Sequence, residues 1–202
     1  MELLSYLRRY SFLALLAVVV LVSSCDDDEP EPENVPEVIT DVTLIFTNTD
    51  DTSDKVEVSA QDPDGEGVQE LEILGGITLD ANKTYELTYE IFNNLETPGE
   101  DIGEEILEED DEHQIFFSFT EGAFTSPTGN GNIDTASDPI NYNDTDDNGF
   151  PVGLSTTWTT SDTPVTGTFT AKLQHQPDVK TATSGATDGD TDFDLTFTLE
   201  IK

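Results

Sequence analysis

From about residue 37 onward, apolar side chains recur at every second position. A period of two marks a half-buried strand and excludes an amphipathic helix. Val42, Leu44 and Phe46 alternate with Thr43, Ile45 and Thr47, and Val56 and Val58 stand between Lys55, Glu57 and Ser59. The same alternation runs through Tyr85, Leu87, Tyr89 and Ile91, then Ile115, Phe117 and Phe119, then Leu154, Thr156 and Trp158, then Phe169, Ala171 and Leu173. It is longest near the C-terminus, where Phe193, Leu195, Phe197, Leu199 and Ile201 alternate with Asp194, Thr196, Thr198 and Glu200. Turn-forming stretches such as Asp62-Pro63-Asp64-Gly65 and Asp147-Asn148-Gly149 separate these runs. Residues 37–202 are therefore expected to form a single all-β domain, an antiparallel β-sandwich that is immunoglobulin-like in general architecture.

One segment departs from this period. Between Asp101 and Glu112, Ile102, Ile106 and Leu107 fall on one side of a helix, but the acids from Glu104 to Glu112 repel one another at i,i+4 spacing. One short helix of one or two turns is expected near 101–112. Residues 120–150 hold few core-forming positions and read as a long excursion, of the kind that is usually functional or mobile.

The first 24 residues do not belong to the fold. Arg8 and Arg9 precede an apolar run from Phe12 to Val22, and Ser23-Ser24-Cys25 follows. That is the plan of an export signal: a basic region, a short apolar region and a small-residue cleavage site. The apolar run is too short to span a bilayer, which takes about 20 residues. Val22-Ser23-Ser24-Cys25 resembles the bacterial lipobox, and the chain's single cysteine stands at the position that would be lipidated. Palmitate and diacylglycerol on Cys25 would then tie the protein to a membrane, each buried CH₂ contributing about 0.8 kcal/mol. Residues 25–36 join repelling carboxylates to Pro30, Pro32 and Pro36, a composition that makes a disordered tether. Acids directly after the cysteine resemble the surface-export signal of lipoproteins in Bacteroidota. The expected location is the outer membrane, on the cell surface rather than the periplasmic face.

Charge narrows the partners. Asp and Glu number 44 against seven Lys and Arg, a formal charge of −37. Both arginines lie in the leader, so the domain has only lysine with which to meet phosphate. Nucleic acid is excluded as a partner on that ground. One cysteine rules out an internal disulfide framework.

Two candidate metal sites emerge. His113 and His175, the only two histidines, are in phase with Ile115–Phe119 and Phe169–Leu173 respectively, so each points toward the core at the end of its strand. If the strands are neighbours, the imidazoles meet and can share a transition metal with Glu112 or Asp178, leaving an open coordination position. The plainer alternative is a hydrogen bond from each to a nearby loop. Asp144, Asp146 and Asn148 match the first half of a calcium loop, D-x-[DN]-x-[DN]-G. The twelfth position is Ser155 where an EF-hand needs Glu, which excludes that motif but leaves a shorter Ca²⁺ turn as a candidate. Asp62/Asp64/Glu66 and Asp188/Asp190/Asp192 are looser clusters of the same kind, and such residues also simply make turns.

Catalytic signatures are lacking: no G-x-S-x-G, P-loop or H-E-x-x-H occurs. With this many acids, carboxylate pairs at glycosidase spacing arise by chance, so a surface glycan hydrolase is only a distant alternative. Trp158 reads as a core residue, and Tyr142, within the excursion, is the surface candidate for stacking on sugars beside Tyr85 and Tyr89. Asp134-Thr135-Ala136 resembles the O-glycosylation acceptor of Bacteroidota.

Several blocks together resemble an uncharacterised group of Bacteroidota outer-membrane lipoproteins. They are Glu37-Val-Ile-Thr, Gln61-Asp-Pro-Asp-Gly, Glu108-Glu-Asp-Asp-Glu-His-Gln, Asp147-Asn-Gly-Phe-Pro-Val-Gly-Leu and Gly167-Thr-Phe-Thr-Ala-Lys-Leu-Gln-His-Gln-Pro. Some of that group carry the label of the type 1 periplasmic binding fold, an architecture of two α/β lobes, whereas the alternation here implies a β domain. The resemblance implies an outer-membrane lipoprotein with a β domain, a companion of outer-membrane receptors or transporters, and implies no activity. With no catalytic signature in the chain, the expected role is a non-catalytic accessory or ligand-binding module.

Overall fold

The computed structural model describes residues 37–62, 70–95 and 97–202. The expected leader 1–24, the lipidation site Cys25, the tether through residue 36, and Asp64 and Glu66 lie outside the described residues.

Each alternating run becomes a strand. These are β1 (Asp41–Asn48), β2 (Lys55–Gln61), β5 (Thr84–Asn93), β7 (His113–Phe119), β9 (Ser155–Thr160), β10 (Val165–His175) and β11 (Asp190–Ile201). Four shorter pieces complete the set: β3 (Glu72–Ile73), β4 (Ile77–Leu79), β6 (Glu100–Asp101) and β8 (Phe124–Ser126). At two or three residues they are too short to show a period. One sheet runs β3-β2-β1-β5-β9-β8, with β6 beside β5, and the other runs β4-β11-β10-β7. All ladders are antiparallel except β4 with β11, which is parallel from Leu199↔Ile77 to Ile201↔Leu79.

The inward positions of the two sheets meet in an aromatic core. Trp158 of β9 is fully buried and crosses the gap to Phe117, Phe119 and Phe169, with ring centroids 5.2, 5.4 and 5.0 Å away in edge-on arrangements. Such geometry sets the positive ring edge against a negative face. Each large side chain buried in this way contributes about 1.5–3 kcal/mol relative to exposure. Trp158 is thus a core residue, as its phase predicts.

The helix α1 (Ile102–Glu108) is shorter than the acidic segment that holds it. It buries Ile102 and Ile106, and its N-cap Asp101 accepts from the Glu104 amide. Leu107 is exposed. Like charge ends the helix, and the chain turns at Glu109 to enter β7.

The excursion after β7 covers that strand's open edge. Phe119 N–H donates to the Asn130 carbonyl, and Asn132 and Ile133 N–H both donate to the Phe117 carbonyl. The Asn132 side chain accepts from Phe117 N–H at 2.9 Å and donates to the Tyr142 hydroxyl, which donates in turn to the Ile115 carbonyl at 2.8 Å. A bare edge would template aggregation, and here loop groups take the place of a further strand. Gly131 makes the close approach possible: its φ is +98°, and a Cβ there would stand 2.1 Å from the Phe117 carbonyl oxygen. Tyr142 is consequently drawn inward rather than displayed at the surface.

Candidate functional site

The two histidines meet at one end of the sandwich. His113 opens β7, His175 closes β10, and the ladder places them directly opposite each other. Their rings stack with centroids 4.5 Å apart and an interplanar angle of 4°. His113 is wholly buried and His175 is 5% exposed.

A third side chain joins them through an irregularity in β11. Leu173 pairs with Phe193, but the next residue, Gln174, pairs with Thr191, so Asp192 is an extra residue without a partner across the ladder. Strict alternation would turn Asp192 outward with Asp194. The bulge re-aims it, and its side chain is fully buried beside His113. Gly189, just ahead of the strand, has φ +82°, and a Cβ there would stand 2.0 Å from the His175 carbonyl oxygen. That close approach brings the turn against the end of β10.

The hydrogen bonding assigns the protons. His113 Nδ1 lies 3.1 Å from the Glu109 carbonyl, which can only accept, so Nδ1 carries the hydrogen and Nε2 the lone pair. Burial pushes the His113 imidazole down to about 4. Burial likewise pushes the Asp192 carboxyl up to about 7. The two face each other at 3.9 Å, His113 Nε2 to Asp192 Oδ2, too far for a hydrogen bond. Asp192 Oδ1 accepts from the Glu37 amide at 3.1 Å. Three buried polar atoms here are left without a hydrogen-bond partner: His113 Nε2, His175 Nδ1 and Asp192 Oδ2. An unmet buried donor or acceptor typically costs about 1–3 kcal/mol, so such a cluster calls for an explanation.

Carboxylates ring the pair. His175 Nε2 is 3.3 Å from Glu112 Oε2. A carboxylate oxygen of Glu109 and one ring nitrogen of each histidine all lie within 4.8 Å of one another. Burial, reinforced by the charge of Glu109, raises Glu37. Glu105 is pushed up to about 7 by burial and by a hydrogen bond with Glu100. Asp178, the alternative to Glu112 in sequence, is exposed on the turn after β10 at φ 60°. Hydropathy alternation does not group Glu109, Glu37 and Asp192 with the histidines. Glu109 and Glu37 lie outside the alternating runs, and Asp192 carries the wrong parity.

The acidic turn is built differently. Asp144 accepts from the Gly153 and Ser155 amides at 2.9 and 3.1 Å. Asp146 Oδ1 accepts from Asn148 N–H and Phe150 N–H. Its Oδ2 faces the Lys180 ammonium at 3.2 Å, and that side chain is only 1% exposed. Lys180 also donates to the Asp110 carbonyl. Although burial works to raise it, these amide and lysine contacts hold the Asp146 carboxyl below its usual range. Asn148 is exposed. Beside Asp146, then, the cation is a protein ammonium. In the looser cluster, Asp188 accepts from the Gly185 amide and Asp190 is exposed.

Neither Trp158 nor any of the tyrosines considered for stacking on sugars is exposed. Trp158 and Tyr85 are buried, and Tyr89 and Tyr142 are half-buried. Thr135 and its neighbours Asp134 and Ala136 are exposed. No helix among the described residues is long and apolar enough to cross a membrane.

No family model, curated protein or solved structure matches the chain.

Proposed function

We propose that this chain is a non-catalytic binding protein, held in the outer membrane by lipid on Cys25, displayed at the cell surface, and accessory to a receptor or transporter there. The observation that carries the binding role is a cluster of three unpartnered polar atoms at one end of the sandwich: His113 Nε2, His175 Nδ1 and Asp192 Oδ2. The scaffold holds each group through its other polar atom and leaves these three atoms unbonded, which is the arrangement of a preorganised ligand site. The contacts of the two histidines are a carbonyl and carboxylates. Among the described residues neither bonds to a hydroxyl, which favours binding over nucleophilic catalysis.

The anchoring is supported by the lipobox-like tetrapeptide ending at Cys25 and by the acids that follow it. Labelled palmitate fed to producing cells is expected to enter the wild-type chain, and Cys25→Ser to abolish both label and membrane sedimentation. Protease added to intact cells is expected to degrade the domain. Unlabelled wild-type protein would overturn the anchor, and protection from protease would overturn surface display.

A further inference from the structure

We infer that His113, His175 and Asp192, together with Glu109 or Glu112, form a site for one divalent transition-metal ion of the zinc class. The inference rests on reading this end of the sandwich as the binding end, and it names the ligand.

The donor set suits such an ion. The Glu109 carbonyl fixes the His113 tautomer so that its Nε2 lone pair is free. An imidazole oriented through its other nitrogen by a carbonyl is the usual arrangement of a metal-ligating histidine. Asp192 is oriented in the same manner, since the Glu37 amide holds Oδ1 and leaves Oδ2 turned toward His113. The 3.9 Å between Nε2 and Oδ2 fits two ligands of one ion. Bond lengths of about 2.1 Å to each allow at most about 4.2 Å between them. One ring nitrogen of each histidine and a Glu109 carboxylate oxygen lie within 4.8 Å of one another, which puts a third carboxylate within reach of the same end of the sandwich.

Charge acts in the same direction. Glu37, Glu109 and Glu112 add carboxylates around the imidazoles. Lys180, which reaches His113 electrostatically, is committed to Asp146 and the Asp110 carbonyl. Two nitrogen donors select against calcium, which takes six to eight oxygens, and suit zinc, cobalt, nickel or copper.

One rearrangement is required. In-plane lone pairs of two parallel rings cannot converge on a single point, so one ring must tip. His113 is held by Glu109 and wholly buried. His175 has no partner at Nδ1, and its Nε2 faces a half-exposed Glu112. His175 is therefore the ring that moves, and metal binding breaks the stack. A water molecule bridging His113 and Asp192 is the competing account of the unpartnered atoms, and it predicts no metal affinity.

The test titrates the full chain, purified in detergent, with Co²⁺ as a visible probe. One equivalent is expected to bind at micromolar concentration with the absorption of a four- or five-coordinate ion. Zn²⁺ should displace it, and Ca²⁺ in large excess should not. His113→Gln and Asp192→Asn should each weaken binding by at least about 100-fold, beyond the ~10–100-fold cost of losing an outer-shell partner. Asp144→Asn should leave binding unchanged, as should Cys25→Ser, which separates a failure of anchoring from a failure of metal binding. If a buried variant does not fold, the wild type still decides, because its two histidines give resolvable imidazole NMR signals. Both should shift on adding Zn²⁺. The absence of micromolar binding, retention of affinity in folded His113→Gln and His175→Gln, or unmoved imidazole signals would each overturn the site.

Discussion

Lys180 is a cation that this acidic chain keeps almost entirely out of water. Its ammonium lies between Asp146 Oδ2 and the Asp110 carbonyl, joining the acidic turn to the loop that leads into β7. Burial holds the lysine below its usual range, while Asp146 works in the opposite direction. Such pairs add little net stability when intact, because desolvation offsets the attraction, but breaking one strands a buried charge. Lys180→Met is therefore expected to destabilise the domain by about 3–5 kcal/mol. Adding Asp146→Asn to that variant should recover part of the loss, since the pair is then removed together. Urea melts of the wild type, both single variants and the double variant check this. Equal loss in Lys180→Met and in the double variant would show that the ammonium only fills space.

Among the elements, the bulge in β11 and the cover over β7 have the largest consequences. Asn132 stands in for a strand: its side chain pairs with the Phe117 amide on one side and the Tyr142 hydroxyl on the other. At 2% exposure, water cannot replace it. Asn132→Ala is expected to cost about 2–4 kcal/mol, from one to two buried groups left unpaired at about 1–3 kcal/mol each. It should also raise aggregation at high concentration by uncovering the β7 edge. Denaturant melts and light scattering measure the two effects, and a variant as stable as wild type would show that the edge is covered by other contacts.

These same elements explain which features are legible in sequence. Alternation locates every long strand and the inward phase of His113 and His175, because side-chain parity is local. Ile102 and Ile106 likewise foretell the short helix. The strands that escape notice, such as Ile77–Leu79, are shorter than the pattern that would identify them. Asp192 escapes for a sharper reason: one extra residue reverses its parity, and nothing in the local hydropathy marks a bulge. Glu37 and Glu109 join the site through tertiary folding, from polar positions outside every alternating run. Tyr142 is misread because a polar, turn-rich excursion hides that its hydroxyl closes on the Ile115 carbonyl.

At the scale of the whole molecule, electrostatics is governed by a formal charge of −37. Folding gathers the carboxylates of the β domain, so self-repulsion opposes the compact state. At about 0.1 M salt the screening length is ~10 Å, short enough to mute repulsion between distant surface groups. Raising NaCl from about 20 to about 200 mM is expected to raise Tm by about 3 °C or more, since each kcal/mol moves a domain of this size by about 2–4 °C. A flat or falling Tm in scanning calorimetry would mean that local pairing already balances the charge. The chain's point of entry carries a different consequence. Glu37 donates its amide hydrogen to Asp192 before the backbone reaches the first rung of β1. Among the described residues this is the first tie between the incoming chain and the fold, so a pull applied at Glu37 loads the very bond that sets the aim of the Asp192 carboxyl.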